Sequence, residues 1–183
     1  MTDSTHRLLV SVPELGDPNF EQSVVFIVEH NDDGALGLVL NQPDGTDVLD
    51  HLPSVDIPLV EPAVCFRGGP VSPGSVLALG RRSVTGELRH AVALTGPVVL
   101  VDIEQLFEGH VGGVDGLRIF AGYSGWSPGQ LDAELDAGVW FVVDAGPDDV
   151  LCSDPAGLWR NVLRRQGGRL GAVARYPEDP NVN

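Results

Sequence analysis

The stretch that most constrains the fold of this chain runs from Gly122 to Trp140 and reads G-Y-S-G-W-S-P-G-Q-L-D-A-E-L-D-A-G-V-W. Residues 117–123 have the apolar character of a strand, which we expect to run into a glycine-flanked turn. Ser127, followed by Pro128 and Gln130, carries two separate helix-start signals, a capping box and a proline at the first helical position. The stretch therefore predicts a strand, a tight glycine turn and a helix capped by Ser127.

The rest of the chain predicts further short strands and helices. Gly138 is expected to end the central helix in a left-handed conformation, and residues 139–143 follow as a buried strand. Asp102 and Asp154 are expected to cap two more helices. Apolar runs predict the remaining strands, at residues 8–12, 23–30, 35–41, 64–67, 75–79, 88–94 and 98–101. Connections are expected as turns at 31–34, 42–45 and 81–87, a capped helical turn at 17–21 and a short helix from Thr46 through Leu52.

The irregular order of these elements favours an α+β fold over a regular alternation of strand and helix. The sequence contains no internal repeat, low-complexity block or shift in composition that would mark a domain boundary. A chain of 183 residues is large enough to bury a substantial core as one unit. We therefore predict a single domain over residues 1–183, with flexible ends at about 1–6 and 176–183.

The charge of the chain argues against several classes of partner. Its 11 basic and 26 acidic side chains give a net charge of −15, and every basic side chain other than histidine is an arginine. Such a surface repels the phosphates of nucleic acids and of anionic membranes, so direct binding to either is disfavoured. The arginines near the C-terminus are a local exception, although a helix C-terminus also attracts them, at positions 160, 164, 165, 169 and 175.

The N-terminus and the cysteines favour a cytoplasmic protein. Residues 1–7 are polar and lack the apolar centre of a secretory signal, and no apolar run is long enough to cross a bilayer. Cys65 and Cys152 lie among apolar neighbours, where a free thiol behaves as a small apolar side chain. A disulfide between them is the alternative, which would be unusual in a chain without a secretory signal.

Several separated motifs together resemble one bacterial family. They read V-E-H-N, G-A-L-G-L-V-L-N-Q-P, G-G-P-V, G-Y-S-G-W, G-Q-L-D-A-E and a later tryptophan, at residues 28–31, 34–43, 68–71, 122–126, 129–134 and 140. In this order and spacing they resemble the AlgH/YqgE family over about residues 8–159. The resemblance implies an α+β fold in which a bifurcated, mostly antiparallel β-sheet folds into a flattened pseudo-barrel with helices packed outside. It also implies the label of transcriptional regulator without known catalytic residues, and it leaves the tail 164–183 outside the shared pattern.

Ser124 is the candidate nucleophile. The string G-Y-S-G-W around it approaches the G-x-S-x-G elbow of hydrolases, but a tryptophan replaces the last glycine. A hydrolase would also need a base, for which His30 and His110 are the candidates. The alternative is a structural turn whose glycines adopt positive φ.

Metal and cofactor sites have little support in the sequence. His30 could share a metal with His51, His90 or His110, but no pair has the spacing of a local metal motif. The G-G-P turn that follows Arg67 lacks the lysine of a phosphate-binding loop and is not a dinucleotide fingerprint. We therefore expect neither a metal nor a cofactor.

Residues in the predicted turns form the best candidate for a binding site. Gly68 and Gly69 could bind an anion through their backbone, with Arg67 as counter-charge, or could let two strands pack closely. Trp126 and Gln130 could line a groove for a peptide or small ligand, or the tryptophan could belong to the core. The full candidate set is Asn41, Arg67, Gly68, Gly69, Tyr123, Ser124, Trp126 and Gln130.

Three functional hypotheses follow from these residues. The favoured one is a non-enzymatic binding or regulatory module that acts through a protein partner or small ligand, because function concentrates in turns such as these. The second is a hydrolase that uses Ser124 with a histidine base. The third is a regulator that binds DNA directly through the C-terminal arginines.

Overall fold

The computed structural model describes residues 3–13, 15–47, 55–146 and 148–175. Within these residues the strands are β1 Arg7–Ser11, β2 Val24–Asn31, β3 Gly34–Val39, β4 Pro43–Asp47, β5 Val64–Arg67, β6 Val71–Arg82, β7 Ala91–Ala93, β8 Val98–Val101, β9 Val114–Trp126 and β10 Trp140–Asp144. The helices are α1 Ile103–Phe107, α2 Gln130–Asp136, α3 Pro155–Gln166 and α4 Gly168–Val173. Among the described residues no helix is both long and apolar enough to cross a membrane.

The strands form one branched sheet of ten strands, and β9 is its branch point. The main path of neighbouring strands is β10-β1-β2-β3-β9-β6-β8-β7. β9 has 13 residues, so its end can pair with β3 while its earlier part pairs with β6. It also pairs in parallel with β5, which in turn pairs with β4. The α+β class and the mostly antiparallel, bifurcated sheet implied by the family resemblance are therefore confirmed.

The alternation of side chains along each strand divides the apolar residues between two faces of the sheet. In β2, Val24 and Phe26 belong to a shared core, whereas Val25 and Ile27 belong to a cluster on the opposite face. The shared core collects residues from both halves of the curled sheet and is covered by α3. The opposite face carries two smaller clusters, one packed against α1 and one against α2. The candidate site adjoins the α2 cluster.

Local signals predicted many of these elements correctly. β5 and β8 occupy the predicted residues, and β2 and β3 form a hairpin that turns at residues 31–34. Asp102 caps α1 by accepting hydrogen bonds from two backbone N–H groups of the first turn. Asp154 caps α3 through the N–H of Gly157, and this helix buries an apolar stripe at Leu158, Trp159, Val162 and Leu163.

The glycine-flanked turn predicted after the strand at residues 117–123 is wrong, because β9 continues to Trp126. Gly122 has φ 68° and lies where the pairing between β9 and β6 shifts register. Its positive φ therefore serves a bulge in a long strand and not a reversal of the chain.

The central helix begins later than predicted. Its N-cap is Gly129 in a left-handed conformation with φ 72°, and not Ser127. Because Gly129 interrupts the helical path, Pro128 lies in a turn before the helix. Half of the predicted capping box is present, since the Gln130 side chain accepts a hydrogen bond from the Ser127 N–H at 3.1 Å. Gly138, with φ 72°, follows the helix as predicted.

Other connections differ from their predictions. Residues 43–47 form β4, and not a turn, because they pair with β5. Residues 17–21 form a hydrogen-bonded turn capped by the Asp17 side chain, without becoming helical. Helix α4 follows α3 directly after Gly167, although no capping signal predicted it. The helix predicted from Thr46 through Leu52 is wrong at its start, because Thr46 lies in β4, and the rest of it lies outside the described residues.

Candidate functional site

The candidate site is a cleft between the turn at residues 15–20 and the junction of β9, α2 and β10. Its volume is about 360 Å³. It lies on the outer face of the sheet beside the α2 cluster, so a ligand can reach it without entering the shared core. We term it the tryptophan cleft and define it by Asp17, Phe20, Trp126, Gln130, Glu134 and Trp140.

Glu134 organises the tryptophan cleft. Its Oε2 accepts hydrogen bonds from the indole Nε1–H of Trp126 at 2.9 Å and of Trp140 at 2.8 Å. Its Oε1 accepts a hydrogen bond from Nε2 of Gln130 at 3.0 Å. Gln130 and Glu134 meet because residues four apart lie on the same face of a helix. Sequence reasoning missed Glu134, although the spacing of these two residues in the predicted helix was a usable signal.

The aromatic rings of the cleft pack against one another. Phe20 meets Trp140 edge to face with ring centroids 5.4 Å apart, and Trp126 meets Trp140 in the same way at 6.3 Å. Trp126 is 7% and Trp140 is 5% exposed, so both indoles are also part of the α2 cluster. The two interpretations of Trp126 are therefore combined, because one ring packs in the core and lines the cleft. Trp140 is a core residue as predicted, and Phe20 is half-buried above both indoles.

A second cleft adjoins the first. It has a volume of about 390 Å³ and is termed the Arg67 cleft, defined by Asn19, Asp44, Arg67, Gly69 and Pro70. Pro70 lines both clefts, and the turn at residues 15–20 contributes to both. The two clefts meet at Pro70 and are together termed the groove, with the Glu134 carboxylate in one cleft and the Arg67 side chain in the other. Two adjoining clefts suit an extended chain better than a compact small molecule.

Gly68 is a structural residue. Its N–H donates to the carbonyl of Ala121 and its carbonyl accepts from the N–H of Val39, both at 2.9 Å. A Cβ at this position would lie 2.2 Å from the carbonyl oxygen of Gly122, so only glycine allows β5 and β9 to approach so closely. Because both backbone groups are engaged, Gly68 does not offer the free N–H that an anion nest requires.

Other members of the predicted set also support the framework. Asn41 accepts a hydrogen bond from the N–H of Val24 and donates one to the carbonyl of Gln22. Tyr123 is half-buried against the shared core. Of the predicted set, the structure therefore brings Trp126 and Gln130 into the tryptophan cleft and Arg67 and Gly69 into the Arg67 cleft, while Asn41, Gly68, Tyr123 and Ser124 lie in the framework.

Ser124 is fully buried, and its hydroxyl donates to the carbonyl of Gly68 at 3.1 Å. The imidazole of His30 accepts a hydrogen bond from the Ser4 N–H and faces the Asp132 carboxylate at 3.7 Å. The imidazole of His110 instead contacts the side chains of Gln105 and Glu108. The hydrogen bonds of these residues therefore do not join a histidine base to the Ser124 hydroxyl.

The other histidines and cysteines that the structure describes do not form a metal centre. In the described part of the chain no three or more His, Cys, Asp or Glu side chains are arranged to hold a metal ion. His51 lies outside that part. Cys65 and Cys152 are free thiols, and burial raises the pKa of each. The disulfide considered from the sequence is therefore absent between them.

Arg118 is a buried cation that sequence reasoning did not single out. It is 1% exposed, and its guanidinium lies 4.3 Å from the centroid of the Phe66 ring. Nη2 donates to the carbonyl of Glu61 at 2.8 Å, whereas Nε and Nη1 have no hydrogen-bond partner in the described structure. Burial lowers the pKa of Arg118 to about 10. In the sheet, Arg118 of β9 is paired with Leu79 of β6, and side chains of paired residues lie on the same face. Because Leu79 belongs to the shared core, the Arg118 side chain lies on the shared-core face, away from the tryptophan cleft.

The C-terminal arginines are divided between an ion pair and the surface. Arg165 forms an ion pair with Asp149 at 2.6 Å and also donates to the carbonyl of Asp144 at 2.8 Å. Arg164 and Arg169 are exposed at the end of α3 and in α4. At least one of the arginines proposed for DNA contact therefore serves the fold.

Comparison with known proteins places this geometry in a family. The family model described as AlgH-like matches residues 8–171. The region shared with the family therefore includes residues 164–171, which the resemblance in sequence motifs left outside the shared pattern. A UPF0301 protein of Streptomyces coelicolor is 48% identical over 98% of this chain and 95% of its own length.

Two solved structures are similar to this fold. Protein DIP2367 from Corynebacterium diphtheriae has a TM-score of 0.84 at 28% identity, covering 94% of this chain and 92% of its own. The AlgH protein from Pseudomonas aeruginosa, solved in solution, has a TM-score of 0.68 at 27% identity, covering 97% of this chain and 96% of its own. Similarity therefore extends along nearly the whole chain in both sequence and structure.

Proposed function

This chain belongs to the AlgH-like family, and we propose that it is a non-enzymatic binding module whose groove receives a segment of a protein partner. The observation that carries the proposal is the tryptophan cleft itself. Aromatic rings, a side-chain amide and a carboxylate converge there on an open hollow of about 360 Å³. Such a combination of apolar walls and a few oriented polar groups is typical of a binding site.

The hydrolase alternative has weaker support. The Ser124 hydroxyl is buried and bonded to a backbone carbonyl, and neither candidate histidine bonds to it. A nucleophile needs both access to substrate and a base within hydrogen-bond reach. Ser124 lacks the first of these, and its bond to Gly68 serves the β5–β9 contact.

Direct DNA binding also has weaker support than partner binding. The net charge of −15 opposes approach to phosphates, and Arg165 is occupied by Asp149. We propose that the module works in the cytoplasm and that any regulatory effect passes through the partner bound in the groove. A small ligand in the same groove is the secondary form of the proposal.

A pair of glycine variants tests the groove. Gly125 is exposed and lines the tryptophan cleft, and a Cβ there would meet ordinary contacts, the nearest at 3.4 Å on the Tyr123 ring. Gly125→Gln therefore adds a long side chain at the edge of the tryptophan cleft without straining the backbone. Gly171→Gln is the matched control, because Gly171 lies on α4 outside the groove and its Cβ would lie 3.5 Å from the carbonyl oxygen of Arg164. Both variants are expected to keep the urea midpoint of the parent protein.

Photo-crosslinking in cells provides the readout. A benzoylphenylalanine replaces Pro70, which is exposed and shared by both clefts, or Val84, which is 99% exposed and outside the groove. We expect a discrete protein adduct from position 70 and not from position 84. Gly125→Gln should reduce that adduct about tenfold, equivalent to about 1.4 kcal/mol of binding free energy, and Gly171→Gln should leave it unchanged. Equal adducts with both glycine variants, or the same adducts from both crosslinker positions, would overturn the proposal.

A further inference from the structure

We propose that the tryptophan cleft recognises an arginine side chain in the partner segment. This inference rests on the proposed function and specifies the chemistry of the partner. It follows from three properties of the cleft: a carboxylate with capacity to spare, a lining without positive charge and walls made of aromatic rings. Each property favours the binding of a guanidinium, and the three coincide at Glu134.

The carboxylate of Glu134 is oriented by neutral donors and not by a cation. All three groups that donate to it are uncharged, namely two indole N–H groups and the Gln130 amide. A carboxylate offers about four lone-pair sites, so about one acceptor site remains. Oε1 accepts one bond and Oε2 accepts two, which assigns the remaining site to Oε1. An incoming N–H therefore has a fixed oxygen to approach.

The lining of the cleft does not neutralise that charge. Among the described residues, no arginine or histidine lines the tryptophan cleft, whereas Asp17 adds a second carboxylate on the opposite wall. The net charge of −15 adds a long-range field of the same sign. A fixed negative site in an acidic protein attracts cations and raises their association rate. The complementary ligand is therefore positively charged.

The walls favour a flat cation over a compact one. Phe20, Trp126 and Trp140 surround the carboxylate. A guanidinium is planar, stacks on aromatic rings and gives up its hydration more readily than an ammonium. It can therefore contact a ring and donate to Oε1 of Glu134 at the same time. Arginine fits this combination better than lysine.

The tryptophan indoles supply a direct readout. The chain has three tryptophans, and each indole N–H gives one separate NMR signal. Trp126 and Trp140 donate to Glu134, whereas Trp159 donates to the buried carbonyl of Ser11 and serves as an internal control. The probe is the peptide acetyl-Gly-Ala-Arg-Ala-Gly-amide, titrated into the full-length ¹⁵N-labelled protein. The signals of Trp126 and Trp140 should move with dose, and that of Trp159 should not.

Three comparisons make the test specific. The same peptide with citrulline, which is neutral but has nearly the same shape, should bind at least about tenfold more weakly, as expected for a charge-assisted hydrogen bond. Glu134→Gln should weaken the arginine peptide by a similar factor. Asp136→Asn is the matched control, because it removes one negative charge from the same helix at an exposed position outside the cleft. It should bind as the parent does.

Each outcome either supports the inference or overturns it. Equal shifts with arginine and citrulline peptides would overturn the recognition of charge while leaving the groove as a binding site. If no peptide shifted the indole signals while the adduct from position 70 persisted, the recognition of arginine would be overturned and the groove would remain a binding site. N-methylguanidinium that binds as tightly as the peptide would show a site for free organic cations and overturn the assignment to a partner segment. Loss of both the adduct and the shifts would remove the proposed function as well.

Discussion

Arg118 and Glu134 are both ionisable side chains that the fold brings against aromatic rings, but their surroundings differ. Glu134 lies in an open cleft and accepts three hydrogen bonds from neutral donors. Arg118 lies in the shared core, is 1% exposed and donates one hydrogen bond to a backbone carbonyl. Its guanidinium also lies 4.3 Å from the centroid of the Phe66 ring. Both oxygens of the carboxylate therefore have partners, whereas among the described residues Nε and Nη1 of the guanidinium have none.

The difference between these two surroundings indicates where in this protein a charged side chain can bind a ligand. A charged side chain that is already oriented by hydrogen bonds and is still in contact with solvent can exchange water for a ligand without a rearrangement of the surrounding structure. A charge that is sealed in the core is stabilised poorly, because desolvation exceeds what one hydrogen bond and one ring return. Glu134 is therefore suited to the proposed binding site, whereas we expect Arg118 to weaken the fold that surrounds it. The following changes test that contrast.

The largest effect is expected from Glu134→Leu. The change leaves the indole N–H groups of Trp126 and Trp140 without an acceptor, and each such group costs about 1–3 kcal/mol. We expect a loss of about 4 kcal/mol in the free energy of unfolding, measured by urea titration. Glu134→Gln retains an acceptor oxygen and should lose about 1 kcal/mol. A loss below about 1 kcal/mol for the leucine variant would mean that water replaces the carboxylate at no penalty.

The opposite sign is expected for Arg118→Met. Methionine fills a similar volume and removes a buried charge whose Nε and Nη1 are unpartnered. Replacing buried charges by apolar side chains of matching size often stabilises a protein by about 1–4 kcal/mol. We expect an increase of about 2 kcal/mol in the free energy of unfolding by the same titration. A destabilised variant would contradict the contrast between the two sites.

The pH dependence of the Arg118→Met difference has a defined direction. Burial lowers the pKa of Arg118 to about 10 in the folded protein, well below its ordinary value in the unfolded chain. Below pH 10 the group is protonated in both states, so the penalty of burying the charge is constant. Above pH 10 the folded state releases the proton first, and the parent protein gains stability relative to the variant. The gap should close by about 1 kcal/mol between pH 10 and pH 11, measured as paired urea midpoints, whereas a constant gap would show that Arg118 stays charged.

The smallest effect is expected at a neighbouring thiol. The Arg118 charge lowers the pKa of Cys152, against the larger raising effect of burial. Arg118→Met should therefore reduce the thiolate fraction and slow alkylation of Cys152 by iodoacetamide at pH 8, by less than about tenfold. Cys65 packs in the α1 cluster and serves as the internal control, with an unchanged rate. Equal slowing at both cysteines would indicate a change in dynamics, separate from this electrostatic effect.

Much of the local structure could be predicted from the sequence because the signals are short-range. The alternating and continuous apolar runs predicted β2, β5 and β8, and side-chain caps predicted the starts of α1 and α3. The prediction of secondary structure failed where one local sequence signal is compatible with two different backbone structures. Gly122 with positive φ is compatible with a turn or with a bulge, and only pairing of β9 with β6 selects the bulge.

The candidate site could be predicted only in part. Trp126 and Gln130 were identified from one continuous stretch, because aromatic and amide side chains next to glycines are typical of binding surfaces. Glu134 was missed, since its role depends on Trp140 from the following strand and on Phe20 from a distant turn. Arg118 was missed because its position in β9 gives no sign of which face of the sheet it occupies.

The sequence by itself determined the acidic charge, the mixed α+β composition of elements, most caps and the family motifs, because these depend on composition and on neighbours a few residues apart. The tertiary structure alone decided that two indoles share one carboxylate and that one arginine is sealed against Phe66. It also decided that the Ser124 hydroxyl donates its hydrogen bond to the Gly68 carbonyl. These outcomes depend on strand register and sheet curvature, which bring together residues far apart in the chain.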